Sequence, residues 1–286
     1  MRVVLTSLEH ALLDPQTSSY GAARQALAAL ERRSIPLILI SSSPRAQVEL
    51  TRLALELEHP FITEGGMALY VPEHYFPDSV LDKSWIHRPP YYVQALGVPY
   101  EQLRQLLRAL RLLLQADMVG YGDWTDAELA VNLGCSVEVA HLNRQREYSE
   151  IFNYGGDPML LQQAAAGLAT ENGSPLRLRA IELSATRSQW FLSASLDPDP
   201  LQTAVQILLK CYQDHLGSGE ISLGIGSELQ DSSFLVVTKT AVALPSPYVQ
   251  SLWAQARDSW RLAELPGPAG WNDVVLTWLE ETDGDE

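Results

Sequence analysis

The sequence is short of cysteine, of closely spaced histidine and of positive charge, and each shortage excludes something. Cys135 and Cys211 form no close pair and sit among apolar neighbours. They read as buried thiols, not as a disulfide framework or redox motif. The 6 histidines are scattered, with no pair at metal-binding spacing, so a zinc site is not expected. Lys and Arg total 20 against 35 Asp and Glu, a net charge of −15, which repels phosphate backbones and anionic lipid and argues against nucleic-acid and membrane partners. No apolar run approaches the ~20 residues needed to span a bilayer. The strand-like run after Met1-Arg2 is too short and too soon interrupted for a signal peptide, so a cytoplasmic location is expected. Part of the negative charge lies in EETDGDE (280–286), which reads as a disordered acidic tail.

What is present is an ordinary globular mixture, 46% hydrophobic and 19% charged over 286 residues. A chain of this size buries roughly 75% of its unfolded surface and needs no staples. Val3-Val4-Leu5 is a short apolar run that opens into the polar SLEH. Ala22–Arg33 carries Ala23, Ala26, Leu27 and Leu30 at helical spacing. SIPLILISSS (34–43) is a continuous apolar run ending in serines, as suits a strand of a parallel sheet buried on both faces. A helix-like stretch over 45–57 and a strand, glycine turn and strand over 60–72 follow. This alternation predicts an α/β fold.

The middle differs. Residues 87–102, rich in proline and aromatics, read as a junction. Helices are expected over 100–114 and 158–168, two shorter ones within 125–150, a strand over 151–154 and strand-like pieces over 181–195. The end returns to α/β style, with a helix over 201–215, strands within 220–237 and 239–245, and a closing helix over 270–281. Residues 1–81 and 186–286 are therefore expected to form one discontinuous core domain, with 82–185 an inserted α/β cap domain.

Ligands of open parallel sheets bind beyond the carboxyl ends of the strands. Three such ends stand out: Ser7–His10, Ser41–Arg45 and Gly226–Asp231. The hydroxyls of Ser41 and Ser42 and the guanidinium of Arg45 suit an anion; equally, Ser41–Ser43 could simply cap the helix that starts near Pro44. Asp197 and Asp199 form a DxD, but Pro198 and Pro200 make it a turn and helix start. GIGSEL (224–229) lacks the last glycine of a dinucleotide fingerprint, and there is no GxSxG elbow.

LTSLEHALLD (5–14), SSSPRAQVE (41–49), ITEGGMALY (62–70), REYSEIF (146–152), LGIGSELQD (223–231) and GPAGWNDVVLTWL (267–279) occur in an order and spacing that resemble the haloacid dehalogenase (HAD) superfamily, in its mannosyl-3-phosphoglycerate phosphatase branch. The resemblance covers nearly the whole chain. It implies a Rossmann-like HAD core, a parallel sheet with helices on both faces, carrying an α/β cap. In active relatives, the first loop's leading aspartate attacks phosphorus and its second acts as acid and base. A lysine holds the phosphate, and aspartates of the last loop hold Mg2+.

The departures lie at those positions. The nucleophile position is Ser7, a poor nucleophile without a base. The acid–base position is Glu9, whose extra methylene moves the carboxyl by about 1 Å, a misplacement that can cost about 100-fold. His10 and Ala11 replace the family's glycine and threonine, which is expected to alter the loop. In the last loop Ser227 and Gln230 replace an aspartate and an asparagine, and only Asp231 matches. No lysine precedes Leu201, and Lys210 lies too far along its helix. Groups that act as a unit fail as a unit.

The expectation is therefore a degenerate family member, a pseudophosphatase without cofactor. It would bind a protein partner or a small phosphorylated or sugar-acid ligand. The alternative is a divergent Mg2+-dependent phosphatase acting on a phosphorylated sugar or glycosyl-phosphoglycerate, with Glu9, Glu228 and Asp231 as weak metal candidates. A third reading is a structural protein whose cleft is filled by side chains such as His10. In the cap, Arg146, Tyr148, Ser149 and Glu150 match the family and mark a sugar-acid region, though Arg144, Arg146 and Glu150 could instead form helix-surface ion pairs. Glu64 matches an acid at the core–cap junction or braces its loop. Trp253, Trp260 and Trp271, if clustered on the surface, would form a protein-binding patch.

Overall fold

The computed structural model describes residues 2–77, 79–172, 175–184, 187–217 and 221–283. The chain runs β1 (Arg2–Ser7), α1 (Arg24–Arg32), β2 (Leu37–Ile40), α2 (Arg45–Ala54), β3 (Phe61–Thr63), β4 (Ala68–Pro72), β5 (Ile86–Arg88) and β6 (Tyr91–Ala95). It continues through α3 (Tyr100–Leu114), β7 (Val119–Gly120), α4 (Asp126–Leu133), α5 (Val137–Arg144), β8 (Glu150–Asn153), α6 (Pro158–Asn172), β9 (Leu176–Ser184) and β10 (Arg187–Ala194). It closes with α7 (Pro200–Leu216), β11 (Ile221–Gly226), α8 (Ser232–Leu235), β12 (Thr240–Ala243), α9 (Val249–Trp253), β13 (Arg261–Leu262) and α10 (Gly267–Asp283).

A 9-stranded sheet has the order β13-β12-β11-β1-β2-β3-β4-β6-β5. It is parallel from β13 to β3, and β4, β6 and β5 extend it antiparallel. Strand alternation sends Val4, Leu37 and Leu39 to one face, where α1 and α10 pack with Ala26, Leu30, Trp271 and Val275. Val3, Leu5, Ile38 and Ile40 go to the other face, against α7 and α8 with Leu201, Leu208 and Phe234. Helices on both faces make the central strands continuous apolar runs. At Gly66, where φ is 94°, an added Cβ would lie 2.3 Å from Leu201 Cα, so glycine is what lets α7 close onto the β3–β4 turn.

A second sheet, order β7-β8-β10-β9, is antiparallel. On one face α3 and α6 bury Leu103, Leu107 and Leu161 against Trp190 and Leu192. On the other, α4 and α5 pack near Tyr121, Ile151 and Phe191.

Several expectations need correction. The expected division at 82 and 185 cuts through paired strands. Residues 86–95 form a hairpin on the core sheet, not a junction, and the second sheet spans 119–194. Proline is tolerated there because Pro89 and Pro90 sit in the turn between β5 and β6, outside the strand ladder. Residues 280–283 are not tail but the last turn of α10, where Asp283 pairs with Arg33 at 2.9 Å and with Arg2. The rest of the expected tail, 284–286, lies outside the described residues. The tryptophans form no surface patch: Trp253 is 41% exposed, but Trp260 and Trp271 are buried. Among the described residues no helix is long and apolar enough to cross a membrane.

Candidate functional site

Strands β11, β1 and β2 are neighbours in one parallel sheet, so the loops that leave their carboxyl ends must converge. This brings together Ser7, Glu9, His10, Ser41, Ser42, Ser227, Glu228 and Asp231. Ser41 Oγ donates to Glu9 Oε1 at 2.5 Å and Ser43 Oγ to the same atom at 3.1 Å. Ser227 Oγ donates to the Glu9 carbonyl at 3.1 Å. Gln230 Nε2 donates to Ser42 Oγ at 3.1 Å and to Glu228 Oε2 at 2.8 Å. The serines thus do more than cap a helix: the residue ahead of α2 is Pro44, and no side chain caps that end.

Asp231 is buried, and its Oδ2 accepts the backbone N–H groups of Ser227 and Glu228 at 2.7 and 2.9 Å. Burial, with the nearby Glu9 charge, pushes its pKa up to about 6 against the pull of those donors. Burial and the charges of Asp231 and Glu9 push Glu228 up to about 8, so it is largely protonated at neutral pH. Ser7 Oγ is buried beside Asp231, near enough for its hydroxyl to oppose the rise of that carboxyl's pKa, without closing to an ordinary hydrogen bond.

His10 holds φ of 58°, the left-handed conformation glycine adopts freely, so the histidine has not removed the turn. Its ring sits edge-on to Tyr248 with centroids 5.6 Å apart, and Nε2 lies 3.7 Å from Glu228 Oε1. A cavity of about 180 Å³ remains beside the loop, lined by Glu9, His10, Asp14, Ser43 and Gln47 among others.

The other expected residues lie at the junction of the two sheets. Glu64 is fully buried, and its carboxylate accepts Glu147 N at 2.9 Å, Tyr148 N at 3.1 Å and the Ser149 hydroxyl. Burial raises its pKa, opposed by Arg146 and by these donors. Arg45 does not face the cleft as a free anion fork: it pairs with Glu147 at 2.8 Å and Glu49 at 2.9 Å. The surface ion-pair reading of 144–150 also fails. Arg146 is buried and donates to the Ser42 carbonyl at 3.2 Å and Ser149 Oγ at 2.8 Å. Glu150 is buried on β8, accepting from Tyr100 at 2.8 Å and Arg104 at 2.7 Å, while Arg144 pairs with Asp126. Lys210 is exposed and pairs with Asp214. Asp199 Oδ1 accepts Gln202 N at 3.1 Å, so the DxD is a helix start.

Sequence reasoning missed Arg179, whose Nη2 donates to Ser42 Oγ at 3.0 Å from the second sheet. The available signal was the alternation LRLR over 176–179, which puts Arg177 and Arg179 on the face opposite Leu176 and Leu178.

Mg2+ takes octahedral oxygen ligands, usually including carboxylates. The residues present do not fit it. Among the described residues no three His, Cys, Asp or Glu side chains converge on a common point. The Asp231 Oδ2 is held by backbone, Glu9 Oε1 by serines, and position 7 offers a hydroxyl.

No profile of a known protein family matches the chain. It is 28% identical over 279 residues to a glucosyl-3-phosphoglycerate/mannosyl-3-phosphoglycerate phosphatase of Methanococcoides burtonii, covering 96% of each. It is 23% identical over 280 residues to a protein of the same description from Persephonella marina, covering 98% of this chain and 97% of that one. The crystal structure of a HAD subclass IIB sugar phosphatase superposes with a TM-score of 0.61 over 99% of both chains at 12% identity. With the mostly parallel core sheet and the sheet-and-helix cap now described, the chain has the fold of the haloacid dehalogenase-like phosphatases and is similar over its whole length to these two relatives.

Proposed function

We propose that this chain is a catalytically silent member of the haloacid dehalogenase superfamily, a cytoplasmic protein whose closed cleft binds a small sugar-acid or phosphorylated ligand, or a protein partner, in a regulatory role. One observation carries the reading. The position from which a nucleophile would attack holds Ser7, a buried hydroxyl whose acidic neighbour, Asp231, is already engaged by the backbone N–H groups of Ser227 and Glu228. The next polar side chain, Glu9, is engaged by Ser41 and Ser43. The test is incubation of the purified chain with Mg2+ and a panel of phosphorylated sugars and sugar acids. No turnover above the enzyme-free control is expected. Turnover that vanishes on Ser7→Ala would remove the proposal.

A second reading keeps a Mg2+-dependent phosphatase acting on a phosphorylated sugar or glycosyl-phosphoglycerate. It is favoured by whole-length likeness to proteins described as such phosphatases. Glu9 also lies close enough to both Glu228 and Asp231 to raise their pKa values. Crystals soaked with Mg2+ and phosphate separate the two: an ion beside Asp231 supports the phosphatase.

A further inference from the structure

The acids of the cleft floor need a positive partner. Buried carboxylates without one are costly, and Glu9 acts on both Glu228 and Asp231, as Asp231 does on Glu228. A divalent ion is the usual answer in such a cleft, but these side chains are not arranged to hold one. The roof supplies a different cation. Arg179 stands on β9 directly opposite Phe191 of β10, and its guanidinium carbon lies 5.1 Å from the centroid of that ring. The stacking fixes the plane of the fork. Arg179 Nη2 then donates to Ser42 Oγ at 3.0 Å. The same oxygen receives Gln230 Nε2 at 3.1 Å, and that amide nitrogen reaches Glu228 Oε2 at 2.8 Å. A continuous hydrogen-bonded path therefore runs from the roof guanidinium to the floor acid.

The neighbouring Arg146 does not fill this role. It approaches Phe191 at 5.7 Å, but its Nη1 is taken by the Ser42 carbonyl and Ser149 Oγ, on the Glu64 side of the junction. Burial, joined by the repulsion of Arg146, lowers the Arg179 pKa, and Glu228, Glu9 and Asp231 oppose that fall from the floor, favouring the protonated form.

We infer that Arg179 is the built-in cation of this cleft, carried by the cap and set over Glu9, Glu228 and Asp231 in place of a metal ion. The inference rests on the metal-free binding reading proposed above and gives that site its electrostatics. Two consequences follow. Binding in the closed cleft is independent of divalent metal. The floor is neutralised only while β9 lies over it, so lifting the cap exposes uncompensated acid, and closure is favoured by charge as well as by the Glu64 contacts.

The experiment is thermal unfolding of the full chain as wild type, Arg179→Lys and Arg179→Ala, each with millimolar MgCl2 and with NaCl of equal ionic strength. The wild-type midpoint should be the same in both salts. Arg179→Ala should unfold about 3 °C or more lower, with part of the loss recovered by MgCl2 but not NaCl, and Arg179→Lys should lie between. A magnesium-specific rise in the wild type overturns the inference. So does an unchanged midpoint in Arg179→Ala, or a lowered midpoint that magnesium does not move, since that is lost packing alone. If Arg179→Ala does not fold, calorimetric titration of the wild type with MgCl2 decides: saturable millimolar binding overturns the inference and its absence supports it. The outcomes separate from those of the silent-enzyme reading. Phosphate-ester turnover undiminished by a chelator would remove that reading while supporting Arg179 as the cation.

Discussion

Ser149 Oγ donates to Glu64 Oε2 across the boundary between the two sheets, and the backbone N–H groups of Glu147 and Tyr148 close on the same carboxylate. One buried acid thereby fixes where the 145–149 segment lies over the cleft. Glu64→Gln would turn an amide toward donors and leave one of them unmet. We expect a loss of about 1–3 kcal/mol. Arg45→Ala, which breaks a half-exposed pair with Glu147, should cost about 1 kcal/mol or less and be sensitive to salt. Urea unfolding of both variants measures this. Equal losses would mean that the junction is not anchored on Glu64.

Stability should fall as pH rises. Glu228 has its pKa raised from 4.5 to about 8 and Asp231 from 3.8 to about 6. The folded chain therefore holds protons that the unfolded chain releases across that window. The stabilisation is full below the unfolded values and is lost as pH climbs through about 6 for Asp231 and then about 8 for Glu228. Glu64, also raised, acts in the same direction. The readout is thus the difference between wild type and Glu228→Gln, which keeps an acceptor for Gln230. The variant's melting midpoint should decline less steeply above pH 6 than the wild type's. Parallel profiles would show that Glu228 ionises as an ordinary surface acid.

Much of this site was readable from the chain. Parallel strands buried on both faces appear as runs such as Leu37–Ile40, and the polar residues after them mark the sheet's carboxyl edge. That reasoning located Ser7, Ser41 and Asp231 together. It failed where side-chain spacing was trusted without knowing where an element stops. Arg144, Arg146 and Glu150 fit ion-pair spacing on a helix, but α5 ends at Arg144, which leaves Arg146 in a loop and Glu150 on a strand. The hairpin over 86–95 was hidden because prolines and aromatics suggest a linker, whereas here Pro89 and Pro90 make the turn and the aromatics Tyr91 and Tyr92 lie in the strand that follows. Arg179 was missed for a third reason, although the alternation over 176–179 gives the face it lies on. Its role depends on β9 crossing above a different sheet, a relation that no local pattern encodes.

Restoring the nucleophile position alone should not restore chemistry. Ser7→Asp places a new carboxylate in a buried position beside Asp231, in a cleft that already holds Glu9 and Glu228. Like charges at this distance raise one another's pKa and oppose folding. A loss of roughly 1–3 kcal/mol at neutral pH is expected, shrinking as pH is lowered. Hydrolysis of p-nitrophenyl phosphate with Mg2+ should stay at background. Activity gained by this single change would mean that the remaining groups still form a working site, and the silent-enzyme reading would have to go.

The closing helix also reaches the opening loop. Trp271 is fully buried, and its indole N–H donates to Thr6 Oγ1 at 3.0 Å. The Thr6 hydroxyl in turn donates to the Ser7 carbonyl at 3.0 Å. One residue on, Asn272 Oδ1 accepts Ala26 N at 3.0 Å, tying α10 to α1. Residues at the two ends of the chain therefore set the backbone from which Ser7 projects. Trp271→Phe removes the first of these bonds and leaves a gap where the larger ring packed. It should cost about 2–3 kcal/mol, lowering the urea midpoint without changing the slope of the transition. Thr6→Val breaks both links in the relay while nearly keeping the side-chain volume. In the double variant with Trp271→Phe, the combined loss should be smaller than the sum, because the two share one hydrogen bond. Strictly additive losses would show that the indole contributes packing alone and does not hold the Ser7 loop through Thr6.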